Sequence, residues 1–326
     1  MLSQLSNKTV LITGASGFIG SYLVKEILTL NICRVKLVSR QKINIKNKNL
    51  EIIYINNIVE YNDWGSILKD VNYVFHLIGV SHYSNKIRGE KNYFNNVNFL
   101  LTQKIVQSSV LSKVEKIIFL SSIKVNGEFT KNNKAFLSTD KPNPLDFYGK
   151  TKLKAEKKIV ELCNKSNLKY TIIRPPLVYG PNAKGNFGLI LKAVRLGLPL
   201  PTQYLRMKRS LISIYNLVDF LVFTLQNQCT DNQTILVADQ EDITISTLIS
   251  KISNYTFKNS RFRVIQFPFP AFLFKWIFKF IGRDDYIFKL LMPLQIDKNE
   301  LKTRFFWRQK FTLSEGLKKT LYEKNF

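Results

Sequence analysis

At 326 residues, with 45% hydrophobic and 13% aromatic side chains, the chain can bury a large core and is not a disordered segment. Its 49 Lys and Arg against 23 Asp and Glu leave a formal charge of +26, a field that favours nucleotides, nucleic acid or an acidic membrane surface. No basic run is long and no nucleic-acid motif accompanies it, so a nucleic-acid partner is not expected and Lys-rich solvated faces are the plainer reading.

The N-terminus, MLSQLSNKTVLITG, carries no basic segment ahead of a long apolar stretch, so no signal peptide is expected. Residues 8–13, KTVLIT, form a short β-branched run that ends in glycines, the pattern of a buried parallel strand. FIGSYLVKEILTL (18–30) then takes a helical period. VKLVSR (35–40), EIIYIN (51–56), YVFHLIG (73–79), KIIFLSS (116–122) and YTIIRPP (170–176) repeat the strand pattern. Helical stretches fall between most of them, notably 99–113 and 148–166. The alternation predicts an α/β fold built on a doubly wound parallel sheet. After residue 178 it weakens: TILVAD (234–239) reads as one further sheet strand, and the flanking segments as a smaller, discontinuous lobe. The expected division is residues 1–178 plus a returning strand at about 215–240 for the sheet domain, with 179–214 and 241–326 for the lobe. The apolar stretch 264–282, interrupted by Pro268, Pro270, Lys275 and Lys279, is too short and too charged to span a bilayer. It reads as a core helix of the lobe, with an amphipathic helix on an anionic membrane as the alternative. Cys33, Cys163 and Cys229 are scattered and lack CxxC spacing, which fits a reducing, cytoplasmic setting. His76 and His82 have no neighbouring ligand cluster, so no metal site is expected.

TGASGFIG places glycines at 14, 17 and 20 between the first strand and the first helix, the context a dinucleotide-binding turn requires. Gly14 permits the tight turn, Gly17 lets backbone approach a pyrophosphate, and Gly20 allows close helix–strand packing. The helix N-terminus offers free N–H groups to the phosphates. At the end of the second strand a carboxylate would grip an adenosine 2′-hydroxyl, but the chain has Ser39 and Arg40 there. Arg40 suits a 2′-phosphate, which favours NADP over NAD.

Tyr148 and Lys152 stand four residues apart at the start of a helix and so share one face. A phenol titrates near 10, and bringing it to about 7 needs roughly 4 kcal/mol of preferential stabilisation of the phenolate. Nearby positive charge, from Lys152 and a nicotinamide cation, supplies it. Ser122 closes the strand KIIFLSS and is aimed at the same crevice. Its hydroxyl can hold a substrate oxygen while Tyr148 moves a proton and the nicotinamide takes or gives a hydride.

Taken together, TGASGFIG, HLIG, VNFLLTQ, SSIKVNGE, YGKTKLKAE, IRPPLVYGP and RSLISIYNLVDF resemble an extended short-chain dehydrogenase/reductase of the NAD-dependent epimerase/dehydratase family, the UDP-glucose 4-epimerase-like group. The resemblance covers nearly the whole chain and implies a Rossmann domain with a smaller substrate-binding lobe. It implies Ser122, Tyr148 and Lys152 as catalytic residues. Cofactor contacts are implied for Gly14, Ser16, Gly17, Phe18, Ile19 and Gly20, for Ser39 and Arg40, and for Asn57 and Ile58. They are implied too for Leu77, Ile78, Gly79, Asn98 and Ser121, and for Pro175 in the bend after Arg174. His82, Lys124, Asn186 and Arg209 are implied on the UDP-sugar side, with a loop role equally open for His82. Family members often dimerise through the Tyr148 helix and the one before it, so a homodimer is expected.

Departures from the family pattern narrow the reaction. The 4,6-dehydratases carry Thr-Asp-Glu where this chain has Ser122, Ile123 and Lys124, so dehydration lacks its acid and base. The aspartate common near the third strand is replaced by Asn57-Ile58, and the second lobe has Ser210, Ser213 and Asn216 where Asp, His and Asp are usual. SSIKVNGE, RPPLVYGPNAKGNF and RSLISIYNLVDF most resemble a bacterial surface-polysaccharide (O-antigen) subgroup. That subgroup reduces a UDP-4-keto-6-deoxy-N-acetylhexosamine to UDP-N-acetylquinovosamine, and its members are often labelled 4-epimerases. The expectation is therefore NAD(P)-dependent 4-keto reduction. The alternatives are UDP-sugar 4-epimerisation and a non-catalytic dinucleotide-binding scaffold with weak peripheral membrane contact through the basic surface.

Overall fold

A computed structural model describes residues 7–31, 33–81, 90–131, 134–183, 185–203, 205–258, 262–268 and 292–323. The strands β1 (Thr9–Thr13), β2 (Arg34–Ser39), β3 (Leu50–Tyr54), β4 (Tyr73–His76), β5 (Lys116–Leu120) and β6 (Lys169–Arg174) are the apolar runs read from the sequence, each cut back at its carboxyl end or shifted by a residue. With β10 (Gln233–Leu236) they make one seven-stranded sheet in the order β10-β6-β5-β4-β1-β2-β3, and every pairing is parallel. The order reverses at β1, so the crevice between the carboxyl ends of β1 and β4 is the switch point at which such sheets bind ligands.

Every residue of β1 and β5 is buried, because helices cover both faces. On one face α1 (Phe18–Leu30) packs against α7 (Ile214–Gln226), and Leu23, Val24, Ile27, Leu217, Phe220 and Leu221 share a core with Val10 and Ile12 of β1. On the other, α2 (Trp64–Leu68), α4 (Leu101–Leu111) and α5 (Phe147–Asn164) bury Trp64, Ile105, Ala155 and Ile159 against Leu11, Val74 and Phe119. The helix expected over 99–113 starts earlier: α3 (Glu90–Asn95) runs through a π-turn at Asn96–Leu100 into α4. Such turns are rare and favour functional positions.

Beyond β6 the chain builds a separate core. It pairs β7 (Leu177–Tyr179) with β9 (Leu211–Ser213) and β8 (Lys208–Arg209) with β11 (Ile243–Thr244). Between these lie α6 (Gly185–Arg195) and α8 (Ile245–Thr256), which pack together and bury Phe187, Leu191, Val194, Leu248 and Ile252. Asp239 ties this region to the sheet: its carboxylate accepts from Tyr179 Oη at 2.9 Å, from Asn216 Nδ2 at 2.7 Å and from the Ser213 backbone N–H at 3.1 Å. The apolar stretch expected as a helix over 264–282 lies outside the described residues from 269 onward.

Candidate active site

The glycine turn is set by contacts that no other side chain permits. Gly14 has φ +76°, and a Cβ there would sit 3.1 Å from the Ile78 backbone nitrogen. At Gly20 a Cβ would fall 2.2 Å from the Gly14 carbonyl oxygen, so helix and turn touch backbone to backbone. Gly17 caps α1 without any side-chain hydrogen bond, and no acidic residue stands in the first turn. The leading N–H groups of α1 therefore carry no side-chain cap and suit an anion. These features fit a dinucleotide pyrophosphate. Ser16 is exposed, while Phe18 and Ile19 are half-buried at the helix start and pack against the apolar core.

The turn after β4 closes the crevice. Leu77 and Ile78 back onto Gly14, and a Cβ on Gly79 would meet Lys152 Nζ at 3.0 Å. Asn98, fully buried in the π-turn, receives the Val80 N–H at 2.9 Å and donates to Val80 O and Thr151 Oγ1, both at 3.1 Å. Its amide holds this turn to α5 from behind. His76 lies beneath, with Nδ1 2.8 Å from Thr13 Oγ1 and Nε2 2.8 Å from Thr102 Oγ1. Because the Thr102 hydroxyl donates to Asn98 O, it accepts from Nε2–H. Burial pushes the His76 pKa down to about 3, with Lys152 adding to the effect.

At the outer edge, Ser39 spends its hydroxyl on Gln41 O at 2.7 Å. Arg40 and Asn57 are exposed, whereas Ile58 is buried.

Tyr148, Lys152 and Glu156 recur every fourth residue along α5 and form one stripe. Asp146 caps the helix, accepting the Gly149 N–H at 2.7 Å, and so fixes where the stripe begins. Ser122 caps a single 3-10 turn, Ile123–Val125, accepting the Lys124 N–H at 3.3 Å, and its hydroxyl lies near enough to the Tyr148 phenol to favour the phenolate. Burial pushes the phenol above its ordinary value and the Asp146 carboxylate adds to this, while the Ser122 hydroxyl opposes both. The lowered phenol expected from the sequence counts a nicotinamide cation beside Lys152. Lys152 itself is 2% exposed, donates to Leu120 O at 2.9 Å and stands 4.5 Å from the Phe119 ring centroid. Burial pushes its own pKa down to about 7, against the pull of Glu156. An amine that shares its proton with water at neutral pH is a weaker electrostatic partner than a full ammonium.

Sequence reasoning missed the group below. Arg174, at the end of β6, donates Nε to Glu156 Oε1 at 2.9 Å, Nη2 to Oε2 at 2.5 Å, and Nη1 to Asn126 Oδ1 at 2.9 Å. Ser121 donates to the same Glu156 carboxylate. The signal was present in the 148/152/156 spacing, since an acid one turn past a buried lysine needs a cationic partner. The Pro175 carbonyl accepts the Ile123 N–H at 3.0 Å, joining this strand end to the Ser122 turn.

Of the residues expected on the UDP-sugar side, Lys124 pairs with Asp146 at 2.5 Å, and its Nζ lies 5.5 Å from the Tyr148 ring centroid. Arg209, in β8, donates to Met292 O at 2.6 Å and has the Glu128 carboxylate in its field, while burial pushes its pKa down to about 10. Asn186 stands half-buried in the first turn of α6. His82 lies outside the described residues.

The chain is similar to known proteins across nearly its full length. The chain is 34% identical over 315 residues to a UDP-glucose 4-epimerase from Vibrio cholerae, covering 96% of this chain and 94% of that one. It is 25% identical to an N-acetyl-α-D-glucosaminyl-diphospho-ditrans,octacis-undecaprenol 4-epimerase from Escherichia coli O157:H7, across 97% of this chain and 95% of the relative. Among solved structures, a UDP-N-acetylglucosamine 4-epimerase from Methanobrevibacter ruminantium M1 superposes with a TM-score of 0.78 at 22% identity, over 97% of each chain. A UDP-glucuronic acid 4-epimerase from Bacillus cereus in complex with NAD gives 0.76 at 19% identity, over 96% of this chain and 97% of that one. At these identities the two structures speak for the fold. The model of the NAD dependent epimerase/dehydratase family matches residues 10–238, from the first sheet strand to the loop after the last, and the chain belongs to that family of NAD-dependent enzymes.

Proposed function

We propose that this enzyme moves a hydride and a proton at C4 of a UDP-linked hexose or N-acetylhexosamine. The observation that carries the reading is the meeting of the Tyr148 phenol with the Ser122 hydroxyl at the carboxyl end of the sheet, one helical turn from Lys152. Ser122 orients the C4 oxygen and Tyr148 exchanges its proton. Lys152, wedged between Leu120 O and the Gly79 turn, holds the cofactor's ribose and tunes the phenol. NAD, when bound on the α1 glycine turn, supplies the hydride chemistry and a positive charge that favours the phenolate. In the resting site the phenol keeps its proton, ready to donate.

Two reactions share this chemistry. Epimerisation at C4 is supported by the activity named for the Vibrio cholerae relative, which covers nearly the whole chain. Reduction of a UDP-4-keto-6-deoxy-N-acetylhexosamine, for surface polysaccharide, is favoured by Arg40 standing exposed at the end of β2 where NADP would place its 2′-phosphate. Incubating the enzyme with UDP-glucose or UDP-N-acetylglucosamine decides between them. An epimerase yields the C4 epimer without net cofactor use. A reductase is silent until given the 4-keto sugar and consumes NADPH stoichiometrically. Inactivity in both assays, with NAD binding intact, would leave a non-catalytic scaffold.

Asn186 and Arg209 are proposed to face the UDP moiety, and His82 and Lys124 the sugar. A homodimer through α4 and α5 is proposed, with light scattering as its test.

A further inference from the structure

The small lobe carries a surface that the proposed reaction does not use. On α6, Phe187, Leu191 and Val194 already fill the interior. The opposite face presents Leu189, and Leu196, just past the helix end with its N–H still donating to Lys192 O at 3.0 Å, follows seven residues on; the two are 65% and 63% exposed. The chain beyond α6 continues this surface. Leu198 is exposed, and the Leu200 N–H donates to Ile265 O at 2.9 Å, which brings the 67% exposed Ile265 alongside. A contiguous apolar patch on a soluble face marks an interaction site, whereas single exposed leucines do not.

The charge around it is one-sided. Residues 180–209 and 243–268, which build α6, α8 and the paired strands β8 and β11, contain ten Lys and Arg and no Asp or Glu. Lys192 and Arg195, in the last turn of α6, stand exposed beside the leucines. Elsewhere the chain interleaves both signs, as in the Lys158–Glu161 and Arg304–Glu300 pairs. Apolar knobs set among cations, with no acid to repel phosphate, match the two attractions that hold a peripheral protein to a charged membrane. A second copy of the chain would instead bring like charge against like.

We propose that this outward face of the small lobe, formed by Leu189, Leu196, Leu198 and Ile265 among the basic side chains, docks on an anionic lipid bilayer. Among the described residues no helix is long and apolar enough to cross a membrane, so the attachment is peripheral. It sharpens the basic-surface contact expected from the overall charge by giving it a place and an apolar component. It does not depend on which C4 reaction the site performs.

The test is co-sedimentation of the full chain with phosphatidylcholine vesicles, with and without phosphatidylglycerol. The wild type is expected to sediment with the phosphatidylglycerol vesicles, to remain soluble with phosphatidylcholine alone, and to be released as salt is raised. A Leu189→Glu/Leu196→Glu variant should lose at least about tenfold in vesicle affinity, and Lys192→Glu/Arg195→Glu should lose a similar factor. Phe306→Glu, 81% exposed and outside both the proposed face and the helices proposed for the dimer, serves as the control and should bind like the wild type. Thermal unfolding and NAD binding read the fold of each variant without reference to catalysis. Failure of the wild type to bind phosphatidylglycerol vesicles would overturn the proposal. Equal loss in the Phe306 control would do so too, as would self-association that the leucine variant abolishes without any vesicle binding.

Discussion

On α5, Lys152, Glu156 and the facing Arg174 are buried, paired and locked to backbone carbonyls or amides, whereas on α6 Lys192 and Arg195 stand in water with no acid in their stretch of chain. Both helices are amphipathic and both carry basic residues, yet their charges have different work. A buried pair is costly to desolvate and strongly disfavours losing one partner, so it fixes geometry. Exposed cations cost little, position nothing, and act through the field they sum to. The helix that must place a phenol within hydrogen-bond reach of a serine has the first kind of charge.

The comparison can be broken or sharpened by substitution. The largest effect is expected from Tyr148→Phe, which removes the proton and leaves the packing: turnover should fall about a thousandfold, with NAD affinity within a factor of two or so by fluorescence titration. Near-normal turnover would take α5 out of the chemistry. Next comes Glu156→Gln, which strands Arg174 at 4% exposure. Urea denaturation should show a loss of about 3–5 kcal/mol, against about 0.5 kcal/mol or less for Arg195→Gln on α6. Equal losses would erase the distinction drawn here. Gly20→Ala forces a methyl into the Gly14 carbonyl and should cost about 1–3 kcal/mol together with NAD binding.

A pH experiment isolates Lys152. Its folded pKa of about 7 lies below the ordinary 10.5. Between those values the unfolded chain holds the proton that the folded chain has released, so stability rises with pH across that window. Below about pH 7 the full cost of charging a buried amine is present. Lys152→Met should remove this rise, and the wild-type-minus-variant difference should climb with pH by at most about 1.4 kcal/mol per unit. A flat difference would mean the amine is solvated. The smallest expected effect is at the cap: Asp146→Ala should cost about 1 kcal/mol, and Asp146→Asn much less, because asparagine caps as well.

Much of this was legible beforehand. β1, β5 and β6 announce themselves as β-branched apolar runs because both faces of the sheet are covered, which makes period-2 alternation unnecessary. Gly14 and Gly20 were legible through steric need. The π-turn at Asn96–Leu100 was not, since it arises from tertiary contacts of Asn98 with Val80 and Thr151, more than fifteen residues away in either direction. The two-residue strands β8 and β11 are too short to leave a pattern. The lowered pKa of Lys152 escaped for another reason: spacing tells which groups share a face, and only burial tells what charge they keep.

The place of β10 in the sheet has a consequence for how the chain is made. β6 finds its outer neighbour only after the segments of α6, β8, β9 and α7 have been synthesised. Until then its rim of open amides and carbonyls is a template for any passing strand. A gene cut after β6 would therefore yield a sticky, aggregation-prone fragment, and the region beyond β6 is no detachable cassette.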